Sequence, residues 1–166
     1  GTWPADEAPA SAGAAGAKER EEQDLVAHRI QRTFVELDLR NIRTRGPNIQ
    51  VAGPVAHLHT LLKADLGECL LGDLVLALHP TPAVGGTPTD KAQAFIQQHE
   101  GNARGLYSGF WGPWNPDGIT DLYVNLRCLR TYANGSLLHV GSGITAGSDA
   151  AAEEAETARK AERWKR

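Results

Sequence analysis

Methionine is absent from all 166 residues, position 1 included, and cysteine occurs only twice. A chain that opens at Gly1 without methionine is expected to be a processed product or an excised piece of something larger. The two thiols, Cys69 and Cys128, cannot make a disulfide scaffold. Neither lies in a Cys-x-x-Cys or cysteine–histidine zinc spacing. Long apolar runs are missing too, since no window approaches the roughly 20 residues a membrane helix needs. No basic segment followed by an apolar stretch opens the chain, so no secretory signal is read and the expected setting is cytoplasmic. Charge of one sign is equally lacking. A formal net charge of -3 leaves no electrostatic footprint for nucleic acid, and neither nucleic acid nor membrane is expected as a partner. What remains suits one globular domain: 41% of residues are apolar and 22% charged, enough for a core and too apolar for disorder.

Residues 1–17, rich in Ala, Gly and Pro, carry no sustained apolar period and read as a loop or linker. From Lys18 the pattern changes. Val26, Ile30, Thr33, Phe34 and Leu37 recur at helical spacing, which predicts a helix from about Lys18 to Asp38. The basic run Arg40 to Arg45 ends at Gly46-Pro47, read as a turn. Val55 to Leu66 alternates as a half-buried strand, with Ala56, Leu58, Thr60, Leu62 and Ala64 on one face. Leu70 to Leu78 reads as a short helix stopped by Pro80 and Pro82. A Pro- and Gly-rich loop then leads to a helix capped by Thr87 or Thr89, with Ala92, Phe95 and Ile96 facing inward. Strands are expected at Leu106–Trp111, Leu122–Leu129 and Leu137–Ile144, the last two joined by a hairpin at Asn134-Gly135. Ser148 or Asp149 caps a final helix running towards Trp164. Helices with an antiparallel hairpin give an α+β domain.

Two glutamate pairs stand on apolar stripes. Glu19 and Glu22 continue the spacing of Val26 and Ile30, and Glu153, Glu156 and Lys160 form a second stripe. A carboxylate on the inward side of a helix is costly unless a cation meets it, and a hard divalent ion is one such cation. Solvated helix faces are the plainer alternative, with Glu156–Lys160 an ordinary surface pair. Glu21 and Glu154 fall on other faces. On the strands, Arg127 has the geometry to grip a carboxylate or simply to cover an exposed sheet face. Gly141 and Gly143 let a ligand approach the backbone. His57 and His59, on one strand face, lack any second cluster that would support zinc.

Taken in order, the stretches GT (1–2), KEREEQ (18–23), VAHL (55–58), LHPTPAVGGTP (78–88), RGLYSG (104–109), NLR (125–127), GSGI (141–144) and EEAETARK (153–160) resemble the chorismate-utilising enzymes. These include isochorismate, salicylate, anthranilate and aminodeoxychorismate synthases. LHPTPAVGGTP is most similar to isochorismate synthases, where alanine stands at Ala83. Salicylate synthases tend to carry threonine there, and the GAPK ending of anthranilate and aminodeoxychorismate enzymes is absent.

The resemblance implies a site residue by residue. Glu22 and Glu156 match magnesium-binding glutamates, with Glu19 and Glu153 as outer or water-mediated partners. Arg127, Gly141 and Lys160 match positions that hold a substrate carboxylate, and Gly1 and Thr2 match a pair at the chorismate ring substituents. His57, Ala83 and Tyr107 line the same pocket. Such a set is coherent, since a dianion needs a cation, here Mg2+, and fixed donors. Gln23 replaces the usual histidine after the first metal motif, Glu154 replaces an aromatic, and GTWPAD replaces GTRPRG.

The fold implied is the C-terminal part of a two-sheet sandwich flanked by helices, within the α+β class. Residues 1–17 would carry the GT motif on a loop, and residues 18–166 would form the C-terminal part of the chorismate-binding domain. The activity implied is conversion of chorismate to isochorismate, feeding menaquinone or siderophore synthesis. A salicylate- or anthranilate-type enzyme, or a non-catalytic chorismate- or anion-binding domain, is the alternative. The family's general-base lysine and general-acid glutamate lie upstream of the GT motif. This chain would thus hold no catalytic proton-transfer residue, would need the N-terminal part of the same domain as partner, and would be inactive alone.

Overall fold

A computed structural model describes residues 2–162. Gly1 and Trp164 lie outside the described residues. The chain divides into two compact units, residues 1–83 and 84–166.

In the first unit, helix α1 (Ala17–Glu36) follows the predicted period and buries Thr33 and Phe34. Its end is set by Asp38, which takes a left-handed φ of 53°. The Asp38 and Leu39 N–H groups donate back to the Val35 and Phe34 carbonyls, at 3.1 and 2.9 Å. This six-residue closure brings Leu39 over Phe34 and satisfies the last carbonyls. Strands β2 (Arg40–Ala52) and β3 (Val55–Asp65) then pair antiparallel. On β3, Ala56 and Leu58 are buried, whereas His59 and Lys63 are exposed, as the alternation predicts. Ala15, Phe34, Leu39, Ala56 and Leu58 form the buried apolar core. Burying a Phe or Leu side chain stabilises by about 1.5–3 kcal/mol.

Gly46-Pro47 is not the expected turn. It lies inside β2, where the register slips between Arg45 and Asn48. The slip bulges an edge strand, where proline's missing N–H breaks no ladder bond. Gly46 has a φ of 108°, and a side chain there would meet the His59 carbonyl at 2.6 Å. The actual turn is Gly53-Pro54, between the paired Ala52 and Val55. Part of the expected N-terminal loop is also ordered as a strand. β1 (Thr2–Pro4) pairs with β3, giving the order β1-β3-β2. Helix α2 (Leu71–Leu78) stops ahead of Pro80 as predicted.

Helix α3 (Pro82–Gly85) straddles the sequence boundary, and α4 (Thr89–His99) opens the second unit. Pro88 precedes α4 and no side chain caps it, contrary to the expected threonine cap. Phe95 is 62% exposed and packs on His99 instead of facing inward. Strands β4 (Phe110–Trp111) and β5 (Tyr123–Val124) pair, as do β6 (Cys128–Tyr132) and β7 (Gly135–His139). The hairpin expected near Asn134 is present, but its two loop residues are Ala133 and Asn134, with Tyr132 facing Gly135. The long strand read at Leu122–Leu129 is interrupted, because Arg127 takes a φ of 50°. Residues 106–109 form a turn rather than the start of a strand, with Ser108 also left-handed. Helix α5 (Ala150–Glu162) is capped by Asp149, whose Oδ1 accepts from the Ala152 N–H at 2.9 Å. The chain is α+β as expected, and no helix among the described residues is long and apolar enough to cross a membrane.

Candidate substrate site

Within the second unit, four of the expected residues form one connected group. Lys160 donates to the Gly141 carbonyl at 2.9 Å and pairs with Glu156 Oε1 at 2.8 Å. The spacing of four along α5 places these two side chains on one face. A Cβ on Gly141 would fall 2.8 Å from the Tyr107 hydroxyl, so glycine lets that hydroxyl stand against the backbone. Burial pushes the Tyr107 hydroxyl above its usual ionisation range.

Tyr107 sits in a turn whose geometry comes from residues that sequence reasoning passed over. Arg104 donates through Nε and Nη2 to both Glu100 oxygens, at 2.7 and 2.5 Å. Its Nη1 donates to the Val84 carbonyl at 2.7 Å and to Ser108 Oγ at 3.2 Å. The hydrogen bonds from Arg104 hold the Glu100 carboxyl below the usual carboxylate range, and the same pairing raises Arg104. The guanidinium lies 5.7 Å from the Tyr107 ring centroid, and His139 on β7 stacks on that ring at 5.4 Å. The sequence offered two cues, the place of Arg104 at the head of the RGLYSG stretch and its four-residue spacing from Glu100, but that spacing implies a helix that has in fact ended at His99.

Arg127 follows the same turn. The Ser108 N–H donates to the Asn125 carbonyl and the Asn125 N–H to the Gly109 carbonyl, each at 2.8 Å. Asn125 Nδ2 also holds the Leu106 carbonyl at 2.9 Å. Two residues later Arg127 is half-buried, and its guanidinium has no hydrogen-bond or ion-pair partner among the described residues. Such a cation suits an anionic ligand.

Glu153 is 5% exposed, at the edge of a cleft of ≈ 470 Å³ where apolar Val140, Ile144 and Ala158 stand beside polar Ser142, Glu154 and Thr157. Glu154 is exposed and Glu156 half-buried, which matches the inward stripe read from spacing.

In the first unit, Thr2 on β1 lies opposite His57 on β3. Gln23 donates to Thr60 Oγ1 at 2.9 Å, tying α1 to that strand. Glu22 is half-buried and lies 3.9 Å from the Lys18 ammonium. The Glu19 carboxylate folds over Gly16 and would have to swing aside for a side chain there. That is the position from which a third-residue glutamate serves a helix N-terminus. Ala83 is exposed on α3. No group of three or more His, Cys, Asp or Glu side chains is assembled to hold a metal among the described residues. The carboxylates instead stand as a pair on each of two helices. Their all-oxygen chemistry fits magnesium, which is usually held by one or two carboxylates with water and substrate oxygens.

An α+β scaffold with a lysine and a tyrosine hydroxyl against open glycine backbone defines a class of site suited to an anion. Comparison with known proteins gives that class a family. A family model described as chorismate binding enzyme matches residues 4–164, and the chain belongs to that family. It is 37% identical over 159 residues to MenF of Mycobacterium tuberculosis, covering 93% of this chain and 42% of that protein. It is 34% identical over 145 residues to the salicylate biosynthesis isochorismate synthase of Pseudomonas aeruginosa, covering 87% and 30%. The crystal structure of DhbC from Bacillus anthracis matches in fold with a TM-score of 0.68 at 24% identity, over 96% of this chain and 45% of that one. The chain thus spans less than half the length of these relatives.

Proposed function

We propose that this chain is the part of an isochorismate synthase that holds the metal and the substrate carboxylate. The carrying observation is the connected group Tyr107, Gly141, Lys160 and Glu156, set within a member of the chorismate binding enzyme family. The names of relatives at 31–37% identity agree with it.

In the reaction proposed, water adds at C2 of chorismate, the ring double bonds shift, and the C4 hydroxyl leaves as water once protonated. Lys160 and Arg127 bind a substrate carboxylate, each through charge-assisted hydrogen bonds. The open backbone at Gly141 lets that carboxylate approach, and Tyr107 offers a hydroxyl beside it. Thr2 and His57, opposed on β1 and β3, would serve ring substituents, with Ala83 as a further contact and Gly1 outside the described residues. Glu22 and Glu156 would hold magnesium, with Glu19 and Glu153 as outer partners. When bound, the metal supplies positive charge that offsets the dianion. The general base and general acid come from the N-terminal part of the domain, and loss of such a group costs on the order of 10² to 10⁴ in rate.

Calorimetric titration of chorismate into the folded chain tests this reading. Binding that needs magnesium and disappears in Glu156→Ala is the expected result, with negligible turnover. A folded chain that gives no heat with magnesium present refutes a preformed half-site. Product analysis with the N-terminal part supplied separates isochorismate from salicylate or anthranilate.

A further inference from the structure

The residues assigned to substrate leave the densest polar network of the second unit without a task. Its centre is Arg104, whose guanidinium meets four acceptor atoms lying in different directions: both Glu100 oxygens, the Val84 carbonyl and Ser108 Oγ. A planar fork held at several points has little freedom left, and a lysine ammonium, with its donors on a single atom, cannot span the same partners. The group that Arg104 fixes is not its own. Tyr107 has its ring beside this guanidinium and stacked on His139, with its hydroxyl against Gly141.

The same guanidinium reaches the arginine that follows. Its bond to Ser108 Oγ helps hold a left-handed residue, which for a side chain with a Cβ is an unfavourable conformation needing support. The Ser108 N–H is then placed on the Asn125 carbonyl, and Asn125 returns bonds to the Gly109 and Leu106 carbonyls. Arg127, also left-handed, emerges two residues beyond this latch. One side chain thereby sets the stance of two others by two separate routes.

We infer, resting on the reading of Tyr107 and Arg127 as chorismate contacts, that Arg104 braced by Glu100 is a positioning residue. It touches no substrate and fixes where both contacts stand.

Arg104→Lys tests this with two readouts. The first is the imidazole C–H resonance of His139, assigned by its loss in His139→Gln, which senses the ring current of Tyr107 without reference to activity. The second is chorismate affinity by calorimetry with magnesium present. In Arg104→Lys the charge is kept but most of the fork's bonds are lost, so melting falls modestly, while the His139 resonance moves towards its unstacked position and affinity measured well below the melting temperature falls about tenfold or more. An unmoved resonance with unchanged affinity overturns the inference, and so does an affinity loss that comes with no movement of the His139 resonance. Should Arg104→Lys fail to fold, Glu100→Gln carries the same test, with a smaller shift in the same direction expected and none overturning it. If wild type itself binds no chorismate, the preformed half-site fails. The His139 resonance then decides the bracing alone, standing if Arg104→Lys moves it and falling if it does not.

Discussion

Lys160→Met separates holding a substrate from holding a helix. The substitution keeps the aliphatic stem and removes the ammonium that bridges Glu156 and the Gly141 carbonyl. Glu156 is 38% exposed in that pair, so solvent screening limits the ion pair to about 0.2–1 kcal/mol. The hydrogen bond to Gly141 adds roughly 1 kcal/mol. The stability loss expected is therefore about 1–2 kcal/mol, a fall in Tm of roughly 2–8 °C for a chain of this size. If the same ammonium also grips a substrate carboxylate, the lost charge-assisted bond is worth about 1.5–3 kcal/mol in binding, or roughly 10–150-fold in Kd. Thermal unfolding by circular dichroism measures the first quantity, and calorimetric titration of chorismate with saturating magnesium measures the second. A drop in Tm with Kd unchanged would mean that Lys160 only braces α5 against the Gly141 segment, and its place in the substrate site would have to be abandoned.

Two pH dependences follow from the Arg104 turn. The folded pKa of Glu100 is depressed, so its contribution is present above its ordinary value of 4.5 and is lost as pH falls through the folded value. Acid unfolding followed by far-ultraviolet circular dichroism should therefore show a shallower loss of stability in Glu100→Gln than in wild type. The folded pKa of Tyr107 is raised above 10.0 by burial, so ionisation opposes folding and stability declines as pH climbs past that value. Tyr107→Phe should remove this alkaline decline, and equal slopes in wild type and variant would count against the buried hydroxyl.

Legibility in the sequence followed the range of the forces involved. Helix α1 and helix α2 come from local periods and were readable as such; a hairpin near Asn134 was readable from its turn chemistry, but its strands are 128–132 and 135–139 rather than 122–129 and 137–144. The closure of α1 was less visible, because an aspartate rather than a glycine adopts the left-handed position at Asp38. Gly46-Pro47 misled because the same dipeptide serves a turn or an edge bulge, and only the pairing with Leu61 and His59 decides between them. The breaks at Ser108 and Arg127 depend on hydrogen bonds between distant segments, which alternation of side chains does not encode. The candidate site divides in the same way. The glutamate stripes were visible as spacing, and the motif order gave the family. The contact of the Tyr107 hydroxyl with Gly141, and the whole Glu100–Arg104 network, exist only once the turn has folded.

The bulge in β2 also limits how its sheet can grow. Along that outer edge, Arg40, Arg43, Arg45 and Pro47 are all exposed, and the register breaks twice. Charge, proline and a break in pairing each discourage another strand from adding there. The opposite edge is β1, three residues long and ending at Pro4, so it too offers a neighbour little ladder to extend. The β2 side is thus shut by charge and broken pairing, and the β1 side by brevity. Amide exchange would register the shut β2 edge as no protection gained there at rising protein concentration.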